Sequence, residues 1–135
     1  MILVDSSVLI DHFRGTANAQ TEQLKAWLSG QDGAPDIGVA DLVVFEVVRG
    51  FPTVKAQARA RDLLLALPVV EIGGLDNVLQ AAALYQRLRR SGRTVRSPID
   101  VLLASYCMTH GHALLHRDAD FESLKTLGGL DTWPH

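Results

Sequence analysis

Cysteine is almost absent: Cys107 stands alone among 135 residues. An intramolecular disulfide is therefore excluded, and so is a zinc site built on cysteines. A membrane-length apolar run is also missing. Glu46 breaks the stretch LVVFEVV and Pro68 breaks LLLALPVV, both far short of the ~18 residues that a span needs. The opening MILVDSSVLI has no basic region ahead of its apolar residues, so it does not read as a secretory signal. Together these absences lead to the expectation of a reducing, cytoplasmic setting. Charged residues are sparse, at 21% against 47% hydrophobic, where ordinary domains carry ~25%. Such a composition excludes a disordered chain. No repeat, low-complexity tract or Pro/Gly/Ser linker divides the sequence. Residues 1–135 are expected to form one domain that buries roughly two thirds of its unfolded surface without staples. Excess positive charge is lacking too. The formal net charge is −2 and the pI ≈ 6.2, which taken alone weighs against a nucleic-acid partner.

What is present is an alternation of short apolar runs with longer amphipathic ones. Strands are expected at Met1–Val4, Ile37–Ala40, Val69–Ile72 and Ala113–His116, with a further edge strand near Leu130–Trp133. Helices are expected at Ser6–Phe13, Asn18–Ser29, Asp41–Arg49, Thr53–Leu67, Ser97–Thr109 and Phe121–Leu127. Asp41 reads as an N-cap and Gly50 as a helix stop. Between Gly74 and Ser97 the residues Leu75, Val78, Leu79, Ala82, Tyr85 and Leu88 recur at helical spacing, which predicts a helix with that face on the core. Strands alternating with helices imply an α/β fold with a parallel sheet covered on both faces.

The acids stand out by their surroundings. Asp5 is the only charge in MILVDSSVLI, Glu46 the only one in LVVFEVV, and Asp100 the only one in SPIDVLLASYCM. Asp118 closes the apolar run ALLH after a single Arg117. An unpaired carboxylate in an apolar setting costs several kcal/mol unless it is protonated, paired or bound to a metal. Asp5 and Asp118 each follow a predicted strand, so both fall at the carboxyl edge of the sheet, where open α/β folds place their sites. Asp100 falls in the first turn of its helix, and Glu46 in the helix after Ile37–Ala40. Such an oxygen-rich set, with Asp120 as a fifth member, suits Mg²⁺ or Mn²⁺. Each acid also has a local reading. Asp5 can cap a helix, Ser97-Pro98-Ile99-Asp100 fits an N-cap, a Pro at N1 and a dipole-favoured acid at N3, Glu46 can sit on a narrow solvent stripe, and Asp118 and Asp120 can be turn residues.

The chain resembles the PIN-domain ribonucleases, and within them the VapC-type toxins of bacterial toxin–antitoxin pairs. MILVDSSVLIDHFRG is similar to the family's opening strand and Asp, VVFEVVRG to its central Glu motif, SPIDVLLASYCMTHG to its third motif and LLHRDADFESL to its closing one. The resemblance implies a PIN-like three-layer sandwich, with a short, mostly parallel sheet of four or five strands flanked by helices. It implies an acidic site of Asp5, Glu46, Asp100 and Asp118, with Asp120 auxiliary and Ser6 at the hydroxyl position that arranges the first Asp. His116 stands where the family often has Thr or Ser. The expected activity is Mg²⁺- or Mn²⁺-dependent hydrolysis of RNA phosphodiesters, with one or two ions. Also implied are a small VapB-type antitoxin that covers an apolar groove among the early helices, a homodimer, and toxin–antitoxin hetero-oligomers.

Other features carry two readings each. Arg87, Arg89, Arg90, Arg93 and Arg96 form a run without an acid. It is either a solvated helix end or a phosphate track, in which Arg87, Arg90, Arg93, Arg96 and Arg117 would contact RNA. That run and the acidic cluster are opposed features that a net charge of −2 conceals. His110 and His112 flank Gly111 in the manner of a helix end, with a zinc role as the lesser reading. Trp27, Tyr85 and Tyr106 read as packing or partner-interface groups. Rival functions are a Mg²⁺-binding receiver-like phosphotransfer module, a PIN-like binding protein without activity and a housekeeping PIN-fold RNA-processing nuclease. The first needs paired acids after strand one and a late lysine, whereas here Asp5 precedes Ser6-Ser7 and the only lysines are Lys25, Lys55 and Lys125.

Overall fold

Runs of consecutive apolar residues form strands buried on both faces, because only a parallel sheet covered on two sides hides every side chain of such a run. A computed structural model describes residues 1–95 and 97–133. In chain order its elements are β1 (Ile2–Val4), α1 (Ser6–Arg14), α2 (Ala19–Leu28), β2 (Ile37–Ala40), α3 (Asp41–Arg49), α4 (Val54–Leu65), β3 (Val69–Val70), α5 (Leu75–Arg90), α6 (Pro98–His110), β4 (Ala113–Leu115), α7 (Asp120–Gly128) and β5 (Thr132–Trp133). All four residues of β2 are buried, as are Leu3, Val4, Leu114 and Leu115 in the neighbouring strands.

The sheet order is β3-β2-β1-β4-β5, and every pairing among the described residues is parallel. Val4 lies opposite Leu115, so β1 and β4 end level with each other. From β1 the chain first builds outward through β2 and β3, then crosses to build β4 and β5 on the other side. That reversal leaves a crevice outside the carboxyl ends of β1 and β4, which is where ligands bind in open α/β sheets. The helices pack in two sets: α1 with α2 and α3, and α3 with α4; then α5 with α6, and both with α7. One set on each sheet face gives the three layers.

Local chemistry explains most boundaries. Asn18 and Thr21 form a reciprocal capping box at the start of α2. Thr53 caps α4 through the Ala56 N–H. Pro98 opens α6 at the position that has no amide hydrogen to lose. Gly111 ends it in the left-handed region at φ 70, a conformation that glycine adopts without a Cβ penalty. No helix among the described residues is long and apolar enough to cross a membrane.

Two expectations change. Asp41 is the first residue of α3 and not its cap; Ala40 occupies that position, without a side-chain bond. The Asp41 Oδ1 instead accepts from the Leu42 N–H and from the Ile72 N–H beyond β3 at 3.0 Å. Gly50 ends α3 as expected, in right-handed conformation at φ −76. The second change concerns α5. Its buried face is Asn77, Ala81, Leu84 and Leu88, whereas Leu75 and Leu79 are 73% and 61% exposed. The cause is Asn77, whose Nδ2 donates to the Ile72 carbonyl at 2.6 Å and to the Leu102 carbonyl at 3.0 Å. Those two bonds fix the rotation of α5 about its axis. They turn the more apolar stripe outward, beside a groove of about 430 Å³ walled by Val78, Tyr85, Val95, Pro98, Val101 and Leu102.

The two stripes of α5 make opposite predictions. Asn77→Ala removes two hydrogen bonds from the interior and is expected to cost about 2 kcal/mol, read as a lower urea midpoint. Leu79→Ala, on the outward stripe, is expected to change stability by less than about 0.5 kcal/mol.

Candidate functional site

Asp5 and Asp118 flank the crevice between β1 and β4. Asp5 follows β1 directly and caps α1, its Oδ2 accepting from the Ser7 N–H at 3.1 Å and from the Ser7 hydroxyl at 2.6 Å. Its own N–H donates to the Leu115 carbonyl at 2.9 Å, which ties the site to the end of β4. Asp100 is the third residue of α6, the helix that leads into β4. Glu46 lies in the middle of α3 and is half-buried. Asp120 begins α7, and its N–H donates to Asp118 Oδ1 at 3.0 Å. Carboxylate oxygens of Asp100, Asp118 and Asp120 all lie within 4.8 Å of one another.

The electrostatics show that all five acids form one group. Asp100 is pushed from an ordinary 3.8 up to about 8, first by burial and then by the charges of Asp5, Asp118, Glu46 and Asp120. Burial raises Asp5 as well; the Ser7 and Ser6 hydrogen bonds oppose that rise and the charge of Asp118 adds to it. Glu46 is raised by burial and by Asp5, with the hydrogen bond from the Ser6 hydroxyl and the charge of Arg49 acting the other way. Like charges in a desolvated place push protons back onto carboxylates unless a cation replaces them.

Asp5 Oδ1 and Glu46 Oε1 are buried and meet no hydrogen-bond partner among the described residues. Buried acceptors are almost always satisfied. The donor set is all oxygen, with no cysteine and no neutral imidazole needed, and that suits a hard divalent cation. The residues therefore suit a hard divalent cation, and among the described residues Asp100, Asp118 and Asp120 are the three whose oxygens approach one another.

The hydroxyl expected of Ser6 belongs to its neighbour. The Ser7 hydroxyl donates to Asp5 and accepts the Arg117 N–H at 3.1 Å, so it links the end of β1 to the loop after β4. Ser6 contributes its backbone N–H to Asp5 and its hydroxyl to Glu46. Sequence reading missed Ser7, although the doubled serine after Asp5 was the signal. It also missed Arg49, three residues after Glu46, whose guanidinium lies over the Phe45 ring at 5.3 Å. His116 is buried, and its Nδ1 accepts the Asp118 N–H at 3.2 Å. That bond fixes Nδ1 as unprotonated, and burial lowers the imidazole's pKa.

The described arginines have different surroundings. Arg87 and Arg90 are exposed in the last turn of α5. Arg93 donates to the Ser123 carbonyl of α7 at 3.2 Å, a packing contact. Arg117 pairs with Asp11 at 3.4 Å on an exposed surface. Arg96 lies outside the described residues. At the opposite edge of the sheet, His110 stacks on Tyr106 with ring centroids 4.1 Å apart. That accounts for the histidine as a helix-end group.

A doubly wound parallel sheet with carboxylates at its switch point has the layout of an α/β enzyme site. The PIN domain family model matches residues 2–127, and the chain belongs to the PIN domain family, among the VapC ribonucleases. It is 30% identical over 130 residues to VapC ribonuclease Mb1587 of Mycobacterium bovis, covering 96% of each chain. Ribonuclease VapC11 of Mycobacterium tuberculosis matches to the same extent. Among solved structures, VapBC2 from Rickettsia felis bound to a promoter DNA fragment superposes with a TM-score of 0.74 at 14% identity, over 98% of this chain and 97% of that one. VapC20 of Mycobacterium tuberculosis, described as a sarcin-ricin loop cleaving toxin, superposes with a TM-score of 0.68 at 18% identity, over 91% of this chain and 94% of that one. The receiver-like alternative finds no support in these likenesses.

The raised acids give a signed pH dependence. Folded Asp100 binds its proton more tightly than the unfolded chain does, so the fold loses stability as pH rises from about 4 towards about 8. In chelator, the urea midpoint is expected to be lower at about pH 8 than at about pH 5. Asp100→Asn should remove much of that difference and exceed the parent at the higher pH. Mn²⁺ should restore the parent more than the variant. An unchanged pH slope in Asp100→Asn would contradict the coupling.

Proposed function

We propose that this protein is a metal-dependent endoribonuclease toxin that hydrolyses RNA phosphodiester bonds and is held inactive by a cognate VapB-type antitoxin. One observation carries the reading: five carboxylates from four distant segments act on one another at the sheet's switch point, and two of their buried oxygens have no hydrogen-bond partner among the described residues. In this reading Asp5, Glu46, Asp100 and Asp118 organise one or two Mg²⁺ or Mn²⁺ ions, and Asp120 assists. When bound, such an ion activates the attacking water and offsets the charge that develops on phosphate and leaving oxygen. Ser7 holds Asp5 in one rotamer. His116 holds the turn that presents Asp118. The exposed Arg87 and Arg90 supply phosphate contacts at longer range, and these weaken with salt. Residues 1–135 act as one domain, in the cytoplasm, where both RNA and antitoxin are met.

The partners have surfaces to use. A cavity of about 380 Å³ between α1 and α4 is lined by His12, Phe13, Arg59, Asp62 and Leu63. It is the early-helix groove that an apolar antitoxin segment would fill. The outward stripe of α5, with Leu75, Val78 and Leu79 exposed, is the face for a second copy of the chain. An apolar helix stripe of this kind marks a protein interface more often than bare surface.

Purified protein is expected to cleave RNA with Mg²⁺ or Mn²⁺ and to stop in chelator. Asp5→Asn and Asp100→Asn should each lower the rate by about 100-fold or more. Ser7→Ala, which loosens a ligand without removing it, should lower the rate by roughly 10-fold. Full activity in Asp100→Asn would remove the site from the chemistry. For assembly, Leu79→Glu is expected to shift a sedimenting dimer to monomer while leaving cleavage chemistry intact.

A further inference from the structure

A groove of about 410 Å³ opens beside the acid centre, and Asp118 belongs to both. It runs from Asp118 across the end of β4 to the edge strand β5, and its walls include Gln20, His116, Arg117, Glu122 and Trp133. We infer that this groove receives one nucleobase of the RNA, the base next to the bond being cut. The inference rests on the ribonuclease reading and extends it to substrate selection.

The volume lies within the range of small-ligand pockets and admits one base with its sugar. Its far wall is aromatic. Trp133 is held edge-on by Trp27, with centroids 5.8 Å apart and planes at 74°. That contact fixes the indole plane and leaves the ring as a stacking platform, which every base can use. The other walls carry directional polar groups. The Gln20 amide offers a donor and an acceptor. Glu122 is exposed and near enough to His116 for its charge to act on that ring, so its carboxylate faces the groove as a pure acceptor. Arg117 is anchored at the end nearest the acids by its N–H to Ser7 and its ion pair with Asp11. A cation there faces the phosphate linkage while the base lies beyond. An acceptor-only carboxylate favours a base edge rich in N–H donors, and guanine presents two adjacent ones, N1–H and the N2 amine. An antitoxin side chain is the competing occupant, but a lone aromatic platform beside hydrogen-bonding groups suits a flat heterocycle better than a flexible cation.

The test compares cleavage of a short RNA with that of the same RNA carrying an abasic site at the nucleotide flanking the cut. In the parent, removal of the base should lower kcat/KM by about 10-fold, chiefly through KM. Trp133→Leu should lose a similar factor on the intact RNA and show no further loss on the abasic one, and Trp133→Phe should recover most of it. Gln20→Ala, which removes no core contact, should show the same pattern more weakly. Glu122→Gln should reduce the preference for guanine over adenine at that nucleotide. If the parent cleaves but is indifferent to the abasic site, or if Trp133→Leu loses equally on both RNAs while Trp133→Phe does not recover, the base pocket is overturned and the ribonuclease reading stands. If these variants cleave as the parent does but lose the antitoxin, the groove is a protein subsite and the inference is wrong. If the parent cleaves neither RNA in Mg²⁺ or Mn²⁺, the ribonuclease reading itself fails.

Discussion

Five carboxylates are held against their mutual repulsion at one edge of a parallel sheet, and much of the structure serves to keep them there. Burial and like charge both act to protonate Asp100, to the point where it titrates near 8. Nothing in the apolar core offsets this, because the groups that could do so are hydroxyls and amides of limited strength. The Ser7 hydroxyl and N–H on Asp5, the Ser6 hydroxyl on Glu46 and the charge of Arg49 each stabilise an ionised acid. Together they leave two oxygens unpartnered. An oxygen-only donor set with that residual demand suits a hard divalent cation.

The same residues do structural and chemical work at once. Asp5 caps α1 through one oxygen and leaves the other to the cluster. Asp100 sits at the third position of α6, where the helix dipole favours an acid. Asp118 accepts the Asp120 N–H and so starts α7 while facing Asp100. In Asp5, Asp100 and Asp118 the local roles are met by the same side chains that make up the acidic cluster. The helix termini supply the backbone amides that make a crowd of carboxylates tolerable, and the turn from each strand into the next helix brings them to one edge.

Charge and apolar surface are divided by location. The formal net charge of −2 averages an acid-rich crevice with exposed arginines at the end of α5, and a partner meets the local field rather than the sum. An exposed apolar stripe lies on the outer face of α5, a cavity of mixed polar and apolar lining lies between α1 and α4, and Phe45 is exposed beside Glu46. The groove at Trp133 adjoins the acids through Asp118.

Much was legible in the sequence because it is local. Strands announced themselves as unbroken apolar runs, and Pro98, Gly111 and Asn18 marked helix ends by backbone chemistry that depends on near neighbours alone. The isolation of Asp5, Glu46, Asp100 and Asp118 in apolar text was enough to single them out, since a lone charge in such text needs a partner. What tertiary structure decided was which of several locally equivalent choices won. Ser6 and Ser7 are alike in sequence, but only Ser7 faces both Asp5 and the loop after β4. Asp41 looked like a cap until the Ile72 N–H, 31 residues away, claimed its oxygen. The apolar stripe of α5 has helical spacing, yet the two carbonyls that Asn77 reaches rotate it outward. Periodicity specifies that a helix has faces, whereas a hydrogen bond between distant segments specifies which face is inside.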